Sequence, residues 1–73
     1  MTSTLLAKTL LRADHIRSFQ ILVAPSAGWD ATAQSDRSVV EQHHCADWHR
    51  VERVLAQFSR EIDKLREEGW REA

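Results

Sequence analysis

Residues Ala46–Trp70, ADWHRVERVLAQFSREIDKLREEGW, decide the fold. Trp48, Val51, Leu55, Phe58, Ile62 and Leu65 recur at alternating spacings of three and four. That period lays an apolar stripe along one side of an α-helix, and the rest of the chain must cover it. Gly69 stands where the chain leaves the last turn, a position that glycine fills without a Cβ penalty. In that register Leu65 and Trp70 make the hydrophobic contact of a Schellman cap, and the helix ends at about Glu68. At the front, Cys45 or Asp47 is the N-cap. In either register the Asp47 carboxylate lies beside unpaired N–H groups at the positive end of the helix dipole.

Upstream of the helix the period falls to two. In IRSFQILVA (Ile16–Ala24), Phe19, Ile21 and Val23 point one way while Ser18, Gln20 and Leu22 point the other, and the β-branched and aromatic content suits a strand. Pro25-Ser26-Ala27-Gly28 supplies turn chemistry. Trp29, Ala31 and Ala33 then alternate with Asp30, Thr32 and Gln34 in a second strand. Ser35-Asp36-Arg37-Ser38 is the next turn, and Val39 to about His44 the third strand. Thr2–Ala13 (TSTLLAKTLLRA) clusters Leu5, Leu6, Leu10 and Leu11 at helical spacing, with Thr2, Ser3 or Thr4 as cap. Residues 1–14 therefore read as a short helix or a disordered segment, because an isolated helix of this length is marginal in water.

The fold class expected is α+β: a three-stranded antiparallel β-meander packed against one long C-terminal helix, a single β-β-β-α domain over residues 15–73. Its inner face would carry Phe19, Ile21, Val23, Trp29, Ala31 and Ala33, with either Val39 or Val40 from the third strand. The alanines would make room for Phe58 or Trp48. A helix of about 23 residues spans roughly 35 Å, and strands of six to eight residues cover roughly 20 to 27 Å. The end carrying Ile62, Leu65 and Trp70 would then overhang the sheet, and an overhanging apolar seam invites a second copy or another protein.

Composition narrows the function. Ten basic residues against eleven acidic ones give a net charge of -1, so no global field favours nucleic acid or an anionic membrane. Eight of the ten bases are Arg, which suggests coding bias, as in a GC-rich bacterial genome. One cysteine excludes an internal disulfide and fits a reducing cytoplasm. No apolar run is long enough to cross a bilayer, and Met1–Arg12 lacks the core of a signal peptide.

The chemically suggestive cluster is His43-His44-Cys45-Ala46-Asp47-Trp48-His49. Cys45 and His49 share a helix face if the helix begins early, and His43 or Asp47 would add a third ligand for zinc. With no second ligand pair, a small buried Cys45 among ordinary histidines is the simpler account, so no metal or other cofactor is expected. Cys45 with His49 as a nucleophile and base lacks a substrate cleft and an oxyanion hole, which argues against an enzyme.

Arg50, Arg53, Arg60 and Lys64, with Gln57, form a row suited to phosphates, yet Glu52, Glu61, Asp63, Glu67 and Glu68 flank it. The sequence thus points to a small non-enzymatic protein–protein interaction module, homodimeric, of adaptor or inhibitor type, encoded by a bacterium or a mobile element. Its partner would be a larger protein, and Ile62, Leu65 and Trp70 its contact residues. Nucleic-acid binding through the Arg50, Arg53, Arg60 and Lys64 face is the alternative.

Overall fold

The two-residue alternation and the long amphipathic helix both appear in a computed structural model, which describes residues 4–73. Strands β1 (Thr4–Arg12), β2 (His15–Val23), β3 (Trp29–Ser35) and β4 (Ser38–Cys45) precede helix α1 (Trp48–Glu67), and β5 (Arg71–Glu72) follows it. The architecture is α+β, an antiparallel sheet with one C-terminal helix on one face, as expected. The sheet has five strands in the order β4-β3-β2-β1-β5, not three.

One of the two added strands corrects the N-terminal expectation. Thr4–Arg12 is strand β1, not a short helix, and it pairs antiparallel with β2 from Thr4↔Leu22 to Arg12↔His15. The proposed caps Thr2 and Ser3 lie outside the described residues. Leucine spacing in this segment is compatible with both periods, and pairing decides between them. As a strand the backbone bonds to β2 and Leu10 becomes fully buried, whereas a short helix would have had little to bury against.

Register fixes which side chains meet the helix. Phe19, Ile21, Ala31, Ala33 and Cys45 share one face with Leu10 and are all buried. Facing them are Val51, Phe58, Ile62 and Leu65 of α1. Phe58 fills the space over the alanines and stands edge-on to Phe19 with ring centroids 5.2 Å apart. Burying one such side chain contributes roughly 1.5–3 kcal/mol, a large share of what so small a domain commands. Trp48 lies outside the core at 48% exposure, stacked edge-on against Trp29 at 5.6 Å.

Two further expectations change. Val39 and Val40 are 54% and 53% exposed, so neither packs under the helix. Ala33 pairs with Glu41 while Gln34 pairs with Val39, which leaves Val40 as an extra residue in a β-bulge. The bulge resets the alternation, so Glu41, His43 and Cys45 take the inner positions. Ile62 and Leu65 do not overhang: they are 5% and 8% exposed within the single chain, and half-buried Trp70 packs on the same core. Strand β1 supplies the missing width through Leu10.

The punctuation follows backbone requirements. Asp47 caps α1, its carboxylate accepting from the Arg50 N–H at 2.9 Å. Gly69 has φ 100, and the N–H groups of Trp70 and Gly69 donate to the carbonyls of Leu65 and Arg66, which is the Schellman pattern. Asp36 and Arg37 both have positive φ, as a two-residue hairpin of the primed type demands. The Asp36 carboxylate accepts from the Ile16 N–H at 2.9 Å and pairs with His15 Nδ1 at 3.0 Å, tying this turn to the start of β2. Among the described residues no helix is long and apolar enough to cross a membrane.

Candidate functional site

A groove runs between β4 and α1 because only two residues separate the strand from the helix, which folds back over the sheet. One wall is the inner side of β4, where alternation presents Glu41, His43 and Cys45. The other wall is a single stripe of the helix: Arg50, Arg53, Val54, Gln57, Glu61, Lys64 and Glu68 recur at helical spacing. Gln57 Nε2 donates to Glu41 Oε2 at 3.1 Å across the groove, and His43 Nε2 lies 3.4 Å from the same oxygen. This crossbar separates an upper cavity of about 420 Å³ from a lower one of about 280 Å³.

The two cavities differ in charge. The upper one is lined by His43, His44, Cys45, Arg50, Arg53, Val54 and Gln57, with no carboxylate. Arg50 Nε is 3.6 Å from Asp47 Oδ2, a carboxylate outside the lining, while the His44 ring takes the other face of the strand, its Nδ1 2.9 Å from Asp30 Oδ1. Arg53 is in no ion pair among the described residues. The lower cavity mixes Arg17 and Lys64 with Glu41, Glu61 and Glu68. Arg17 also lies 5.7 Å from the centre of the Phe19 ring.

The residues singled out from the sequence are distributed as follows. Arg50, Arg53 and Lys64 line one groove, whereas exposed Arg60 lines neither cavity. His43 and Cys45 share the upper cavity and exposed His49 does not. No group of three His, Cys, Asp or Glu is close enough to hold a metal among the described residues. Burial pushes the Cys45 thiol up, the reverse of what a nucleophile at a helix N-terminus requires. Ile62 and Leu65 are core residues of the single chain. Glu41 escaped the sequence reading, because its inward position depends on the bulge at Val40.

Among the described residues no helix covers the opposite face of the sheet. Its side chains form ranks across four strands: Thr9, Ser18, Gln34 and Val39; Ala7, Gln20, Thr32 and Gln42; Thr4, Leu22, Asp30 and His44. Asp30 is the only acidic or basic residue in these ranks apart from the histidine it bonds. Comparison with protein-family models, with curated proteins and with solved structures gave no match.

Proposed function

We propose that the protein is a small non-enzymatic protein–protein interaction module that works in the cytoplasm as a homodimer, joined through the outer face of its sheet. The observation that carries this is the charge pattern of that face. A chain with ten basic and eleven acidic residues leaves three ranks of an exposed sheet with one formal charge. An exposed antiparallel face ordinarily spends its outward positions on charged side chains. Hydroxyls, amides and aliphatic groups instead match the depletion of charge found at interface cores. The three ranks offer hydroxyls, amides and aliphatic groups that can meet their own kind, and two sheets packed with aligned strands bury such surfaces against each other. Four strands spaced about 4.8 Å apart and about 23 Å long give roughly 450 Å² of flat surface per partner. Side-chain relief brings the pair to the order of 1,000 Å², the threshold of a specific interface.

Nucleic-acid binding along Arg50, Arg53, Arg60 and Lys64 has less support, since Glu61 and Glu68 line the same wall and Arg60 stands apart. Sedimentation equilibrium at 10 to 100 µM tests the dimer. The wild type is expected as a dimer whose melting temperature rises with concentration. Exchanging Gln20 and Gln42 for Glu places charge in the middle rank and should give folded monomers with unchanged far-UV circular dichroism. A wild-type monomer with a concentration-independent melting temperature sinks the proposal.

A further inference from the structure

Strand β4 ends the sheet, so the backbone groups on its outer side have no strand partner among the described residues. Exposed edges are normally blunted by proline, lysine or inward charge. Here Ser38–Cys45 contains neither proline nor lysine, and its one carboxylate, Glu41, is occupied by Gln57 and His43. The bulge at Val40 distorts only the start of the strand, leaving Gln42 to Cys45 regular. Beside that regular stretch lies the upper cavity, where among the described residues Arg53 is in no ion pair and no carboxylate joins the lining.

We propose that this edge and groove together form a binding site for an extended acidic peptide segment of another protein. The segment adds to β4 as a further strand, and the ladder supplies affinity irrespective of sequence. Every second side chain of an added strand points to the helix side of the sheet, beside His43 and beneath the wall of α1. A Glu or Asp at that position reaches the Arg53 and Arg50 guanidinium groups, which bind carboxylates through paired N–H donors. The Val54 side chain and the stems of the arginines offer apolar contact to the same residue. A second copy of this chain fits less well, because its β4 brings only Glu41, a carboxylate already held. The site opens on the helix side, away from the face assigned to the dimer, so the two proposals stand or fall separately.

The probe is a fluorescein-labelled pool of ten-residue peptides with Glu at every second position and mixed residues between, read by fluorescence anisotropy on the full chain. A matched pool with Lys in place of Glu is the control. The Glu pool is expected to bind and the Lys pool to bind at least tenfold more weakly. Titration should shift the amide resonances of Gln42, His43 and His44. Methylating alternate backbone nitrogens of the peptides should abolish binding, since the ladder needs those donors. Arg53→Glu, at an exposed position that leaves the core intact, should weaken the Glu pool at least tenfold without changing the oligomeric state.

Absence of binding by the Glu pool overturns the proposal, as does binding that survives backbone methylation or leaves the β4 amides unmoved. So does tighter binding of a short oligothymidylate than of the Glu pool, which would assign the cations to phosphates. Backbone pairing of β4 with β4 of a second copy, seen as amide contacts between differently labelled chains across that edge, would overturn it in favour of a second copy.

Discussion

The two edges of the sheet are built from the same chain and finished differently. At the β1 edge, Gly69 turns the chain back so that β5 pairs Glu72 with Leu10 and Arg71 with Leu11, and the Ala73 N–H donates to the Thr9 carbonyl at 2.9 Å. The Glu72 carboxylate then takes Lys8 Nζ at 3.0 Å and the guanidinium of Arg66. At the β4 edge no strand follows among the described residues, and the bulge at Val40 is the only irregularity. These few residues after the helix cap cover the Thr9–Leu11 end of the β1 edge and leave the stretch before it without a strand partner among the described residues. The comparison therefore teaches that the open one is not explained by small size alone, and that its side chains should be read as a surface in use.

Substitutions at the two glycines break the comparison from opposite ends. The largest effect is expected at Gly28, where φ is 79 and an added Cβ would meet the Cys45 carbonyl oxygen at 2.4 Å. Gly28→Ala must both strain its own backbone and push the end of β4 from β3, at a cost of more than about 2 kcal/mol. Chemical denaturation should show a large fall in midpoint. An unchanged midpoint would mean that the β3–β4 corner is built otherwise. Gly69→Ala is the milder break, because the space around it is open and only the left-handed conformation is lost. It should cost about 1–2 kcal/mol. Hydrogen exchange should speed up at the Ala73 amide while β4 amides are unaffected beyond the global change.

The smallest effect sharpens the contrast through pH. The Lys8 ammonium, followed by Arg66, holds the Glu72 carboxyl below its ordinary value of 4.5. A depressed folded-state value means that stabilisation is present above the unfolded value and is lost as pH falls through the folded one. Lowering pH from 6 to below 4 should therefore loosen β5 from β1, read as a lower protection factor at Ala73, its exchange being compared with the intrinsic rate at each pH. Glu72→Gln should remove that acid sensitivity. Because these groups are exposed, the effect is expected to be small. An Ala73 amide equally protected at both pH values would show that the backbone pairing, not the ion cluster, closes this edge.

What could be read from the sequence was what is encoded locally. The stripe of α1, the Asp47 cap, the Gly69 exit and the β2–β3 hairpin each depend on residues near in sequence, and the structure places them as their chemistry dictates. The rest depends on partners far along the chain. Leu6 and Leu10 face the helix only because β2 sets the register of β1, while Leu5 and Leu11 are exposed. Two residues of β5 carry no periodicity at all. The sequence left the inner face of the third predicted strand open between Val39 and Val40; the single extra residue at Val40 decides it, so Glu41 and His43 are groove residues and both valines are surface. Most of one groove wall was nonetheless legible: the row of Arg50, Arg53, Gln57, Arg60 and Lys64 stands out in the sequence, and all but Arg60 line the groove, although the opposite wall does not stand out.

The order β4-β3-β2-β1-β5 also sets a sequence of events in folding. Each pairing from β1 to β4 joins neighbours along the chain through a short turn, so these contacts cost little loop closure and form early. The pairing of Leu10 with Glu72 joins the two extremities of the described chain and must await the helix between them. During synthesis the meander can therefore assemble while both of its edges are bare. The interval before Trp70 and β5 join the sheet is when the nascent chain is most exposed to wrong partners.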